Sequence, residues 1–290
     1  MRVTLPFRGV ELLRRLGLLP ALNFSYKNLF GSGNFIIPLV GGIGYRNLFH
    51  HESWMEEVIA KVSACSEGAF IDVGANTGQT LLKVKKVAIA GLYLGFEPNP
   101  SCVHYLRKLI QVNGFRNAQI IPAGLSDAWG MVTLSGYAES EDDTSASTIP
   151  GFREHPAWSF PAPVMPLDDV PQLRTLEKIG IIKIDAEGAE EKVIGGAQQV
   201  IGKFRPFVLC EILPVYNAQN KEREQRQDRL LELLGILDYK LYRIIKTGDS
   251  GLHYFKRMEA ITMHEDCNLS DYLFIPAEQV SRAEKHLNLR

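Results

Sequence analysis

The sequence predicts an α/β fold in which helices cover a mostly parallel sheet. From Phe70 onward, short apolar runs alternate with segments of helical periodicity, as in a chain of strand and helix units. The length of 290 residues and the hydrophobic content of 46% allow one large domain with additions, or two small ones. The formal charge of -1 provides no basic excess for neutralising phosphates, so no nucleic-acid partner is expected.

Seven apolar runs are predicted as strands, at residues 70–73, 92–96, 119–123, 181–184, 207–212, 239–244 and 271–274. No helix-length pattern separates the last two, so we expect them to pair antiparallel at one edge of the sheet. Helices are predicted at 79–90, 100–113 and 188–201, and the charged run KEREQRQDRLLELLGIL begins another. Asn99 suits the N-cap of the second helix, and Pro100 suits its first position.

Residues 1–60 are interpreted as an N-terminal addition to a main domain at 61–290. The addition contains a helix in SWMEEVIAKV and a hairpin in NFIIPLVGGIGYR. Arg14 and Arg15 interrupt the first apolar run, so neither a signal peptide nor a transmembrane segment is predicted. A short amphipathic helix packed on the domain is favoured there over a membrane-surface anchor.

Four cysteines are scattered without any CxxC pair. This pattern is typical of reduced core thiols and not of a disulfide framework or a zinc site. A reducing, cytoplasmic location is therefore expected. The sequence leaves the oligomeric state open, and a homo-oligomer is compatible with it.

Residues 135–163 have neither helical nor strand periodicity and are rich in Ser, Pro and acidic residues. A long irregular loop inside a compact domain is usually a functional lid or a disordered spacer. The segment lies between the third and fourth predicted strands, near the sheet end where ligands bind. A lid is the favoured interpretation.

The stretch FIDVGANTGQT, residues 70–80, joins a predicted strand to a predicted helix. Its two glycines form GxxxG after Asp72, which is neither a GxGxxG fingerprint nor a P-loop. Glu97 ends the next strand, 25 positions after Asp72, where its carboxylate can accept both hydroxyls of a ribose. The loop has an acidic residue but lacks the glycine pattern whose backbone N–H groups bind phosphate. It therefore fits a cationic cofactor that has no phosphate, such as S-adenosylmethionine.

A weaker signal lies in GLSD, residues 124–127. Ser126 and Asp127 supply a hydroxyl and a carboxylate that could reach an adenine edge. Asp127 is equally well explained as a turn acid before Trp129 and Gly130.

These motifs and the stretch KIDAEGAE resemble the FkbM family of S-adenosylmethionine-dependent methyltransferases. The similarity runs in order through FIDVGANTGQT, GFEPNP, GLSD, MPLDDV, KIDAEGAE, RPFVLCEI and SDYLFIP, and covers about residues 50–276. It implies the class I methyltransferase fold, which is Rossmann-like, with seven strands and an antiparallel edge strand. It also implies O-methylation of hydroxyls on sugars, glycolipids or polyketides.

The resemblance also implies roles for individual residues. The cofactor-binding set comprises Asp72, Gly74, Ala75, Asn76, Thr77, Gly78, Glu97, Pro98, Ser126 and Asp127. Asp72 and the glycine loop would hold the methionine part, Glu97 the ribose, and Ser126 with Asp127 the adenine side.

A sugar hydroxyl is a poor nucleophile, so a positioned base or a metal is expected to assist methyl transfer. Asp185, at the end of the fourth strand, is the favoured base or metal ligand, and Glu187 and Glu211 could complete a Mg²⁺ site. A histidine is the competing base, with His155 in the lid as the catalytic candidate and His253 as another. Acids at a helix start are also favoured by the helix dipole alone, which explains Glu190 best.

The sequence therefore predicts a methyltransferase that acts on a hydroxyl of a small-molecule or glycan acceptor in polysaccharide biosynthesis. Two alternatives stay open. One is a non-catalytic module that binds S-adenosylmethionine, and the other is a nucleotide-dependent oxidoreductase, which the absence of GxGxxG disfavours.

Overall fold

A computed structural model describes residues 7–30, 33–49, 52–138, 146–152, 154–217, 219–248 and 251–290. The helices are α1 Phe7–Arg15, α2 Ser53–Cys65, α3 Gln79–Lys86, α4 Pro100–Asn113, α5 Glu190–Gly195, α6 Gln198–Phe204, α7 Lys221–Ile236 and α8 Val280–Ala283. The strands are β1 Asn23–Phe30, β2 Gly33–Val40, β3 Ala69–Val73, β4 Tyr93–Phe96, β5 Ala118–Ile121, β6 Gly124–Leu125, β7 Gly130–Gly136, β8 Trp158–Met165, β9 Ile179–Ile184, β10 Phe207–Glu211, β11 Tyr239–Lys246, β12 Leu252–Met258 and β13 Asp271–Pro276.

The central sheet has the order β12-β11-β13-β10-β9-β3-β4-β5. Strands β5, β4, β3, β9 and β10 are parallel, whereas β13 pairs antiparallel with both β10 and β11. The α/β prediction is confirmed, but the described sheet has eight strands and not seven. The predicted late strands do pair with each other, yet the edge belongs to β12, which the sequence reading missed.

Alternate residues of the parallel strands face two hydrophobic layers. On one face, Phe70 and Tyr93 pack with α2, α3, α4 and the N-terminal hairpin. On the other face, Ile71 and Leu94 pack with α5, α6 and α7. This two-sided burial explains why the strands read as continuous apolar runs.

The N-terminal addition is joined to the main domain and does not form a separate unit. Its hairpin is β1 and β2, so NFIIPLV supplies only the second strand and the first was missed. The predicted helix SWMEEVIAKV is α2, whose residues Val58 and Val62 are in the sheet core. The expected boundary at residue 60 therefore falls inside a helix. None of the described helices is long and apolar enough to cross a bilayer.

Two further predictions differ from the structure. The helix expected at 188–201 is divided into α5 and α6 at Gly196, where a Cβ would lie 2.0 Å from the carbonyl oxygen of Ser126. The segment 135–163 is not irregular throughout, because β7 ends and β8 begins within it. These strands form a small sheet of order β6-β8-β7. Residues 139–145 and 153 of the segment lie outside the described residues.

Candidate functional site

A cavity of about 580 Å³ opens beyond the carboxyl ends of β3, β4, β9 and β10. Strand β3 lies between β4 and β9, so the strand order reverses there, which is where ligands bind in open parallel sheets. Charged residues in the lining are Arg46, Glu52, Glu97, Lys183, Asp185, Glu187, Glu211 and Asp271. The volume is within the range of small-molecule sites.

The glycine loop, residues 74–78, forms one wall of this cavity. Gly74 has a φ of +78°, and a Cβ there would lie 2.0 Å from the Asp185 carbonyl oxygen, so the close approach of the two loops needs glycine. Gly78 has a φ of +82° and is the N-cap of α3. Gly74, Ala75, Asn76 and Thr77, for which cofactor binding is predicted, line the cavity. Gly78 instead faces Leu106 and Leu109 of α4.

Glu97 lies beside the glycine loop and lines the cavity together with Pro98. One carboxylate oxygen accepts a hydrogen bond from the Asn76 backbone N–H at 2.7 Å, and the other accepts from Asn99 N–H at 2.8 Å. Burial raises the pKa of Glu97 to about 7, although these two N–H donors oppose the shift. The carboxylate therefore has a fixed orientation before any ligand binds.

Asp72 is fully buried beneath the loop and does not line the cavity. Its carboxylate accepts a hydrogen bond from the Tyr93 hydroxyl and lies 3.4 Å from Lys183 Nζ. Lys183 Nζ also contacts Asp185 Oδ2 at 3.2 Å and the Gly74 carbonyl oxygen at 3.3 Å. Although burial opposes its charge, the carboxylates of Asp185 and Asp72 raise the pKa of Lys183. Lys183 thus links the buried acid to the acid at the cavity wall.

Asp185, Glu211 and Asp271 form what we call the acidic end of the cavity. Glu211 and Asp271 are register partners on β10 and β13. Burial, followed by the charges of Asp185 and Asp271, raises the pKa of Glu211 to about 10. Burial also raises the pKa of Asp271 to about 6, opposed by its ion pair with Lys246. The raised pKa favours the protonated form of Glu211.

The predicted metal ligands, Asp185 and Glu211, both line the cavity. Within the described ranges, however, no group of three or more His, Cys, Asp or Glu side chains is arranged to hold a metal ion. The ammonium group of Lys183 already contacts Asp185. These donors do not fit a Mg²⁺ site, which needs several oxygen ligands around one point.

Part of the segment that was predicted as a lid lies at the cavity. Ser147 is buried, pairs with Ser135 through the backbone, and donates its hydroxyl to the Glu187 carbonyl oxygen at 2.6 Å. Its neighbours Ala146 and Thr148 line the cavity. The segment therefore contributes a wall to the site.

Four further predicted site residues are outside the described lining of the cavity. Ser126 is buried and donates its hydroxyl to the exposed Asp127 at 3.0 Å. His155 is exposed, and neither it nor this pair is among the described residues that line the cavity. The competing base His253 is exposed on the edge strand β12 and also lies outside the lining.

The sequence reading missed Lys183 and the wall supplied by Arg46, Glu52 and Met55. A signal for Lys183 exists, since a lysine within the apolar strand IGIIKI needs an opposite charge, and Asp72 is its register partner on β3. The N-terminal wall has no such local signal. Asn47 connects it to the glycine loop by donating to the Thr77 carbonyl oxygen at 2.6 Å.

The lining has six acidic and two basic side chains. Such a cavity favours a cation, and the N–H groups nearest Glu97 are already taken by its carboxylate. S-adenosylmethionine has a sulfonium, an ammonium and a ribose but no phosphate. The residues present therefore fit this cofactor better than a dinucleotide.

Comparison with known proteins agrees with this chemistry. Residues 72–244, more than half of the chain, match the family model described as the methyltransferase FkbM domain. Comparison with curated proteins found no significant match.

Three solved structures show distant similarity. An FkbM methyltransferase from Methylobacillus flagellatus KT is 16% identical, with 72% of this chain and 44% of that chain covered and a TM-score of 0.44. An O-methyltransferase from Bacillus cereus, in complex with SAH, is 10% identical, with coverages of 76% and 79% and a TM-score of 0.44. A precorrin-6y C5,15-methyltransferase from Geobacter metallireducens is 11% identical, with coverages of 76% and 85% and a TM-score of 0.38.

The chain spans less than half the length of the first of these proteins. The similarities are too distant to carry an argument about the acceptor. The family match rests on the part of the chain that includes the glycine loop, Glu97, Asp185 and Glu211. With this match over more than half of its length, the chain belongs to the FkbM methyltransferase domain family.

Proposed function

We propose that this chain is an S-adenosylmethionine-dependent O-methyltransferase whose acceptor is a hydroxyl of a sugar or glycoconjugate. The proposal rests on the different chemistry of the two ends of one cavity. A rigid carboxylate at Glu97 lies beside the glycine loop, and carboxyl groups at Asp185 and Glu211 line the acidic end.

At the glycine-loop end, the Glu97 carboxylate accepts hydrogen bonds from the two ribose hydroxyls. It also keeps the hydrogen bonds that it accepts from Asn76 N–H and Asn99 N–H. A carboxylate has enough lone pairs for both sets of donors. Residues 74–77 contact the amino-acid part of the cofactor. S-adenosylmethionine, when bound, supplies an electrophilic methyl group on a sulfonium.

At the acidic end, Asp185 is the proposed base. Its carboxylate would accept the proton of the acceptor hydroxyl, whose oxygen would take the methyl group that S-adenosylmethionine supplies, with S-adenosylhomocysteine as the leaving product. Lys183, 3.2 Å away, orients Asp185. Protonated Glu211 donates a hydrogen bond to the acceptor, and the carboxyl groups around it suit a ligand with many hydroxyls.

A Mg²⁺ ion held by Asp185 and Glu211 is not used in this mechanism because the donors do not fit one. We expect turnover to be the same with and without EDTA. A loss with EDTA that Mg²⁺ restores would instead give Asp185 and Glu211 the role of metal ligands.

The proposal is tested by incubating the full chain with S-adenosylmethionine and a panel of sugars and glycolipids, and by measuring S-adenosylhomocysteine release. Mass spectrometry of the products should show one added methyl group on an oxygen. Binding of S-adenosylhomocysteine without turnover on any hydroxyl would support the non-catalytic alternative. Methylation of nitrogen or carbon acceptors alone would refute the O-methyltransferase assignment.

A further inference from the structure

The N-terminal segment at residues 12–22 exposes an unusual amount of apolar surface. Nine large hydrophobic side chains of the described residues are exposed, and four of them are Leu12, Leu16, Leu18 and Leu22. Leu12, on α1, and Leu16, in the turn that follows it, are 56% and 60% exposed, and the Leu16 backbone N–H donates to the Leu12 carbonyl oxygen at 3.0 Å. Clustered exposed leucines mark an interaction surface, whereas single ones need no explanation.

Other residues of α1 and of the segment after it attach this region to the domain. Val10 and Leu19 are buried in the core, and Leu13 packs against it. Glu11 accepts a hydrogen bond from the Tyr45 hydroxyl. The exposed leucines therefore belong to a segment that is already fixed to the domain.

The charge of this region is opposite to that of the rest of the chain. Residues 1–30 contain five basic residues and one acidic residue, a net charge of +4, although the whole chain has a charge of -1. Arg14 and Arg15 are exposed beside the leucines, and both pair with the single carboxylate of Glu11. The local charge on α1 thus stays positive.

From these observations we propose that residues 12–22 form a docking surface for anionic membranes. A helix with an apolar flank and adjacent arginines binds at a bilayer interface, where leucines enter the acyl boundary and arginines reach the headgroups. Leucines do not stack on bases, so a lipid surface fits better than a nucleic acid. Docking would bring the cavity wall near the bilayer, because Tyr45 precedes the lining residue Arg46.

The test is cosedimentation of the full chain with vesicles of phosphatidylcholine and phosphatidylglycerol in equal parts, and with vesicles of phosphatidylcholine alone. We expect binding to the anionic vesicles, weakened by salt, and much weaker binding to the neutral ones. The double variant Leu12→Asp with Leu16→Asp should bind the anionic vesicles roughly tenfold more weakly or worse, because two apolar side chains no longer leave water.

Ile236→Asp is the matched control, because Ile236 is exposed on α7 outside the surface. It should bind vesicles like the unmodified chain. S-adenosylhomocysteine affinity should be the same in all variants, which separates this proposal from the proposed function. If the double variant does not fold, Arg15→Glu supplies the same test, with weaker binding to anionic vesicles expected.

Three results would overturn the proposal. One is the absence of vesicle binding by the unmodified chain, and another is equal binding by the double variant. The third is a different occupant of the surface. That would be seen as a dimer that the double variant dissociates, or as binding to duplex DNA that anionic vesicles do not displace.

Discussion

The two ends of the cavity hold their carboxyl groups by different means. Glu97, at the glycine-loop end, is fixed by two backbone N–H donors from its own and the adjacent loop. Asp185 and Glu211, at the acidic end, are crowded by other carboxyl groups and balanced by the side chain of Lys183. Backbone donors fix the orientation of Glu97, whereas burial and the neighbouring carboxyl groups favour the protonated form of Glu211.

This difference suits two tasks. A cofactor that is the same in every turnover needs a rigid site, and binding to a preorganised site avoids ordering costs. An acceptor proton has to be removed during the reaction, which needs groups that can change their protonation. Substitutions at the two ends should therefore affect different measurements.

The largest effect is expected for Asp185→Asn. Loss of the proposed base should lower turnover by about two to four orders of magnitude. The affinity for S-adenosylhomocysteine should stay within about threefold because the amide keeps the same shape. Asp127→Asn is the matched control, since Asp127 is exposed and outside the described lining. An unchanged rate in Asp185→Asn would remove this residue from the mechanism.

Lys183→Met should have the next largest effect, on stability. It leaves the buried Asp72 without its cation, and breaking such a pair costs about 3–5 kcal/mol. Urea unfolding followed by circular dichroism measures this loss. Adding Asp72→Asn should recover part of the stability because the uncompensated charge is removed. A double variant less stable than Lys183→Met would contradict the pairing.

Glu97→Ala should weaken S-adenosylhomocysteine binding by roughly tenfold to a hundredfold, as expected when hydrogen bonds to a charged group are lost. Binding should also weaken as pH falls through about 7, where Glu97 takes up a proton. Glu97→Gln should bind more weakly and lose this pH dependence. Calorimetry across this pH range provides the measurement, and pH-independent binding by the unmodified chain would show that Glu97 does not hold the ribose.

Glu211 is expected to affect the pH dependence of stability. Its pKa rises from 4.5 to about 10 on folding. Between these values the folded state binds more protons than the unfolded state, so stability from this group falls as pH rises. Glu211→Gln should flatten the decline of Tm with pH in this window. A decline as steep as before would assign it to other groups.

Much of the sheet was predictable because its strands are buried on both faces and read as apolar runs. β12 was missed because it is an edge strand with exposed His253 and no comparable run. The glycine loop and Glu97 were predictable as a site because they end consecutive parallel strands. Ser126 and Asp127 also follow a strand, but that strand, β6, belongs to the small sheet. Gly124 and Leu125 of β6 are in the described lining, whereas Ser126 and Asp127 are not.

By itself, the sequence determined the α/β class, the glycine loop and the position of Asp185, because each depends on local periodicity or on a strand end. Only the tertiary structure decided that the buried Asp72 forms an ion pair with Lys183 and that Glu211 lies opposite Asp271 on the neighbouring strand. It also decided that residues before the family match supply Arg46 and Glu52 to the cavity. These are contacts between distant parts of the chain, and their burial and charge balance exist only after the sheet has assembled.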